Sequence, residues 1–150
     1  AWFRQQALEQ MLAWQQHDLS DYGVTYDRWF RESTLHESGA VDDTLRELLA
    51  RDMAYRATQP AEVSEAAQAR VAKESASATE ATWIRTCRFG DDMDRVIVRG
   101  DGRPTYLLPD IAYHRDKRAR GYQKVINLWG PDHHAYVATL SSALRALGLI

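Results

Sequence analysis

An α/β fold containing part of a doubly wound parallel sheet is predicted by three features of this sequence. Strand-length apolar runs alternate with helix-period runs over 105–148, the pattern of a layered α/β architecture. Lys124–Trp129 is a continuous apolar run of the kind buried on both faces of a parallel sheet. Thr105–His114 and Trp129–His134 each pass from a strand-like piece into a helix-like piece with a carboxylate at the turn. Ligands of open α/β sheets bind where such turns converge, at the carboxyl ends of the strands.

The elements follow in order. Phe3, Ala7, Met11 and Trp14, widened by Leu8, Leu12 and Leu19, predict an amphipathic helix over 2–20, stopped by Gly23. Val24–Phe30 is β-branched and aromatic, and predicts a strand. Val41, Leu45, Leu48, Leu49 and Met53 mark a second helix, with Ser33 or Ser38 as its cap and Asp42–Asp43 in its first turn. Residues 56–82 are rich in Ala, Ser, Glu and Gln and poor in large apolar groups. They predict a mobile insertion or linker between an ordered 1–55 and a strand-rich 83–150.

Trp83–Cys87 and Arg95–Arg99 predict a small β-hairpin insertion around an exposed acidic turn, Asp91–Asp94, followed by a turn at 100–104. Thr105–Leu108 predicts a strand, Asp110–Arg120 a helix closed by Gly121, and Lys124–Trp129 a buried strand broken at Gly130–Pro131. Val137, Leu140, Leu144 and Leu147 predict a closing helix.

The bulk numbers exclude more than they assign. At 150 residues the chain fits one domain, with 45% apolar and 27% charged residues. A net charge of -2 advertises neither a nucleic-acid surface nor a membrane surface, although His114–Arg120 is locally basic. No apolar run reaches membrane-spanning length, which predicts a cytoplasmic protein. The single Cys87 has no disulfide partner in the chain and reads as a buried, inert thiol.

Tyr106 and Asp110 lie four apart around Pro109. Asp110 reads either as a helix N-cap or as a carboxylate held to meet a bound cation. Asp132-His133-His134 reads as a metal site, as a helix-start cap or as pocket lining. Adjacent histidines point in different directions, which disfavours metal. A metal-dependent phosphoesterase rests on that tripeptide alone. The Asp91–Asp94 cluster lacks the alternating spacing of a calcium loop.

Phe89-Gly90-Asp91-Asp92-Met93-Asp94-Arg95-Val96, Thr105–His114 and Trp129–Tyr136, with Leu12–Trp14, Asp21–Val24 and Trp29–Ser33 in support, together resemble arginyl-tRNA synthetase, a class I aminoacyl-tRNA synthetase. The resemblance covers the chain except 56–81. It implies part of a Rossmann-type catalytic domain that forms arginyl-adenylate from L-arginine and ATP, with magnesium, and esterifies tRNA(Arg), acting as a monomer. It further implies that Tyr106, Asp110, Asp132 and His134 bind arginine, and that Trp129, Gly130 and His133 border the adenosine. No catalytic residue and no resident metal is carried over. The two class I signatures that handle the ATP phosphates are absent from these residues. The expectation is therefore a partial catalytic domain, inactive alone. A non-catalytic arginine-binding module is the alternative.

Overall fold

The computed structural model describes residues 2–68 and 79–150. They fall into two compact units, residues 1–31 and 32–150. The first consists of helix α1 (Trp2–Asp21) and an extended tail. Val24 N–H donates to Leu19 O and Gly23 N–H to Ser20 O, the paired bonds of a Schellman end, and Gly23 takes the positive φ of 77° that this end requires. Val24–Phe30 is not a strand. A strand needs a neighbour for its ladder bonds, and none runs beside it among the described residues. Its side chains meet one another instead, Tyr26 on Trp29 at 5.3 Å and the Arg28 guanidinium over the Phe30 ring at 5.3 Å.

The second unit is mixed α/β. A helical turn, α2 (Ser33–Glu37), precedes α3 (Ala40–Ala50). The expected serine cap is not used. Ser33 lies inside α2, Ser38 ends it, and α3 starts from a left-handed Gly39. Asp52, also left-handed, closes α3 and sends the chain straight into a three-stranded antiparallel sheet of order β1–β2–β3. These strands are β1 (Ala54–Ala57), β2 (Ala81–Ile84) and β3 (Arg95–Val98). Ala54 faces Ile84 across the first pair, and Ile84 faces Arg95 across the second. β2 thus starts two residues before the run at 83–87. The predicted 56–82 insertion is thus trimmed at both ends, since β1 takes its residues 56 and 57 and β2 its residues 81 and 82, and 69–78 lie outside the described residues.

Between β2 and β3 the acidic stretch is not an exposed turn. A 3-10 turn, Cys87–Phe89, leads into it, and Asp91 and Asp94 are buried. The physical reason is that protein donors, the Arg95 guanidinium on Asp91 and Tyr55, Glu62 N–H and Cys87 N–H on Asp94, replace the water both carboxylates lose. After β3 the turn at 99–103 closes as predicted, through Arg99 N–H to Arg103 O and Gly102 N–H to Arg99 O.

The parallel sheet predicted over 105–129 is not present among the described residues. Thr105 is bonded back to β3, N–H to Ile97 O and Oγ1 to Val96 O. The chain then turns directly into α4 (Leu107–Ala119). What reads as a strand, Thr105–Leu108, is the entry and first turn of that helix. Leu107, Leu108, Ile111 and Ala112 are all buried, a spacing that belongs to a helix face. Pro109 sits in the first turn, where a missing N–H costs no intrahelical bond. Gly121 ends α4 as expected, with a φ of 92°.

Residues 124–129 form no strand, and Ile126 and Leu128 are 72% and 92% exposed. A strand buried on both faces needs strands paired at its edges and a packed layer over each face, and no strand among the described residues pairs with this run. A 3-10 turn (Pro131–His133) then starts α5 (His134–Ala146). Leu48, Ile84, Ile97, Leu108, Ile111 and Leu140, from α3, the sheet, α4 and α5, are fully buried and form the core. Each such side chain contributes about 1.5–3 kcal/mol by leaving water.

Candidate functional site

β3 and the first turn of α4 place one wall of a cavity, and α5 with its preceding turn places the other. The cavity has a volume of about 540 Å³ and is lined by Arg95, Tyr106, Asp110, Trp129, Asp132, His133, Ala135, Tyr136 and Thr139. Tyr106, Asp110, Asp132, Trp129 and His133 from the sequence reading thus share one space. Gly130 and His134 are not part of its lining. Both are exposed.

Asp110 is the chemical centre. It is not an N-cap: Tyr106 holds that position without a side-chain cap bond, and Asp110 lies inside the first turn, its N–H donating to Tyr106 O. There the positive end of the helix dipole favours its negative charge. Tyr136 Oη donates to Asp110 Oδ2 at 2.6 Å. Burial, and then Asp110 itself, push the Tyr136 phenol far above its ordinary range, so it remains a donor. The Tyr136 ring meets Tyr106 at 5.1 Å, tilted by 58°, and Trp129 edge-on at 5.9 Å. A carboxylate with aromatic rings beside it matches a cation, above all a flat guanidinium, which takes two parallel hydrogen bonds and stacks on ring faces.

Arg95 brings positive charge into the same lining and is held back from it. Its Nε donates to Asp91 Oδ2 at 2.9 Å, and its Nη2 to Asp91 Oδ1 at 2.7 Å and Asp92 Oδ1 at 2.6 Å. Burial pushes the Asp91 carboxyl up, but Arg95 and the Thr139 hydroxyl outweigh it and hold Asp91 below the usual carboxylate range.

One turn further along α4, on the face that carries Asp110, His114 and Lys117 hold the segment that carries Trp129. The His114 Nδ1 lies 2.8 Å from Asp110 O, and a carbonyl can only accept, so Nδ1 carries the proton. Nε2 then accepts from Asn127 Nδ2 at 3.0 Å, and Asn127 Oδ1 accepts from Lys117 Nζ at 3.4 Å. Burial, and next Arg120, lower the Lys117 ammonium, which sits over the Tyr113 ring at 4.2 Å.

Asp132 does not cap α5 either; His133 occupies that position. Asp132 and His133 face each other at 3.5 Å with both side chains largely exposed. Among the described residues no three His, Cys, Asp or Glu side chains gather as a metal-holding group. Cys87 is half-buried rather than buried. Burial and the surrounding carboxylates, Asp94 foremost, push its thiol up and away from nucleophilic chemistry.

Sequence reasoning missed Arg95, Ala135, Tyr136 and Thr139. The signal for Tyr136 lay in its spacing. The buried stripe of α5 runs through Thr139, Leu140, Ala143, Leu144 and Leu147, so Tyr136, and not the exposed Val137, continues it. A tyrosine on a core stripe needs a polar partner for its hydroxyl.

No protein-family model matches the chain. It is 41% identical over 148 residues to an arginine–tRNA ligase of Geobacillus kaustophilus, covering 99% of this chain and 23% of that protein. It is 42% identical over 141 residues to an arginine–tRNA ligase of Leptospira interrogans, covering 94% of this chain and 20% of that protein. A solved structure from Campylobacter jejuni, provisionally described as an arginyl-tRNA synthetase, superposes with a TM-score of 0.71 at 33% identity. That match covers 93% of this chain and 26% of the other. Along nearly its whole length the chain is therefore homologous to a segment of the arginine–tRNA ligases that makes up about a fifth to a quarter of each.

Proposed function

We propose that this chain is the amino-acid-binding part of an arginine–tRNA ligase, an enzyme that activates L-arginine with ATP and transfers it to tRNA(Arg). The observation that carries this reading is Asp110, seated in an aromatic-sided cavity within a sequence about 40% identical to arginine–tRNA ligases. Asp110 receives the guanidinium, Tyr106 and Trp129 flank it, and Asp132 and His133 face the amino-acid and adenosine end. Gly130 and His134, outside the cavity lining, would join only by a change in the 130–134 turn.

ATP enters as a substrate with its magnesium. Residues outside this chain would handle its phosphates, since positioned positive charge is what phosphoryl activation requires. The 150 residues alone would then be inactive. The Lys124–Trp129 run, with Ile126 and Leu128 exposed, suits a strand of a parallel, Rossmann-type sheet whose other strands also lie outside this chain. A cytoplasmic, monomeric enzyme accompanies this reading. Among the described residues no helix is long and apolar enough to cross a membrane.

The test is amino-acid-dependent ATP–pyrophosphate exchange by the natural protein that carries these residues, with its tRNA present, across the twenty amino acids. Exchange with arginine alone is the expected result. No exchange with any amino acid, in a protein shown to be folded, would overturn the ligase. Arginine binding without exchange would favour a non-catalytic arginine-binding module.

A further inference from the structure

We propose that Tyr136 is a positioning residue for Asp110, and that its hydroxyl sets the plane in which the carboxylate meets its ligand and so favours a guanidinium over an ammonium. The inference deepens the arginine-pocket reading and rests on it.

A carboxylate on a helix turns about its last torsion over a broad range, so its plane is poorly fixed unless something holds it. Here Tyr136 Oη holds Oδ2 at 2.6 Å, reaching across from α5 to α4. The tyrosine ring itself meets two others, Tyr106 at 5.1 Å and Trp129 at 5.9 Å. Its neighbours on the same helix, Thr139 and Leu140, are buried, which anchors the helix that carries it. Oδ2 keeps a second lone pair and Oδ1 keeps both for a ligand, since no other side-chain donor reaches this carboxylate among the described residues.

A guanidinium presents its N–H groups as a flat fork and needs both oxygens in that plane. An ammonium is a compact charge with rotatable donors and gains little from a fixed plane. Freezing the plane therefore stabilises one cation more than the other, which is what specificity requires.

The experiment compares Tyr136→Phe with the unaltered natural protein, measuring kcat and KM for arginine, KM for ATP, and kcat/KM for lysine. The expected result is an arginine KM raised about tenfold, with kcat and the ATP KM within about twofold, because the carboxylate plane is no longer fixed before the guanidinium arrives. Arginine-over-lysine discrimination falls by a similar factor. A merely structural role would lower the active fraction, and with it kcat, leaving KM and the discrimination ratio in place. Thermal melting of both proteins reads that loss directly. An unchanged arginine KM, or equal losses for arginine and lysine, overturns the proposal. If the unaltered protein does not activate arginine at all, the ligase reading has failed instead.

Discussion

Two aspartates in this molecule each accept a hydrogen bond from a tyrosine, and they have opposite fates. Asp94 takes Tyr55 Oη at 2.7 Å and Glu62 N–H at 3.3 Å on Oδ2, and Cys87 N–H at 3.2 Å on Oδ1. It is 0% exposed, and both of its oxygens are bound by protein donors. Asp110 takes Tyr136 Oη on Oδ2 and opens onto a cavity. The difference shows how one residue type serves two ends. A carboxylate wrapped in donors from three separate segments ties those segments together, whereas one fixed on a single oxygen beside a void is left with acceptor capacity for a ligand.

The strongest way to break the comparison is to remove each carboxylate in turn. Asp110→Ala in the natural protein is expected to raise the arginine KM by about thirtyfold to several-hundredfold, corresponding to roughly 2–4 kcal/mol for a bound cation left unpaired. Its melting temperature should fall less than that of Asp94→Ala, because only one phenol, Tyr136, loses its acceptor. Asp110→Asn should be nearly as harmful, because the amide keeps the shape and loses the charge. Asp94→Ala should do the reverse. It strands a phenol and two backbone N–H groups, costing about 3 kcal/mol and on the order of 10 °C in melting temperature, with the arginine KM of the folded protein unchanged. Steady-state kinetics and calorimetry on the same preparations decide it, and an Asp94→Ala protein with normal stability would remove the structural role assigned here.

This contrast was only half legible in the sequence. Tyr106 and Asp110 stood out as a pair, and the glycine stops at 23 and 121, β3 and α5 could be read from periodicity and turn chemistry; α1 is a helix as expected, but its predicted apolar stripe of Phe3, Met11 and Trp14 is exposed. Asp94 could not be told from a solvated turn residue. Its donors Tyr55, Glu62 and Cys87 come from positions 39, 32 and 7 residues away, and local spacing carries no record of the two distant ones. The strand predicted at 105–108 failed for another reason. Four residues are too few to separate a strand from one turn of a buried helix, and the buried pair Ile111 and Ala112, one turn further on, settles it as a helix. The apolar run at 124–129 lacked context of a different kind, because a central strand is defined by neighbours and not by its own residues.

The two ends of the acidic stretch also sharpen the comparison through pH. Burial raises the Asp94 carboxyl, and its neutral donors offset this only in part. Its folded pKa lies above the unfolded one, so its contribution to stability is full below the ordinary carboxylate range and is lost as pH rises through the folded value. Asp91 is held below its ordinary value, so its contribution is full above that range and is lost as pH falls through the depressed value. Urea midpoints measured between about pH 3 and pH 7 on the unaltered protein, Asp94→Asn and Asp91→Asn should show the two differences running in opposite directions. Parallel trends would mean that Arg95 does not separate the two sites as described.

The smallest effect tests the tyrosines against each other. Tyr55→Phe removes the hydroxyl that donates to Asp94 and also accepts Ala61 N–H at 2.6 Å. Asp94 keeps its bonds from Glu62 and Cys87, so the loss is expected to be about 1–2 kcal/mol of stability. The Arg85 guanidinium, 4.5 Å from the centre of the Tyr55 ring, stays in place over the Phe ring, so the packing there changes little. The arginine KM should not change. The same substitution at Tyr136 is expected to move KM and leave the melting temperature nearly unaltered. Carried out side by side, the two Phe variants ask whether a tyrosine–aspartate bond serves the fold or the ligand. A Tyr55→Phe protein with a raised arginine KM would show that the acidic core reaches the cavity through β3 and Arg95, making the two aspartates one coupled system.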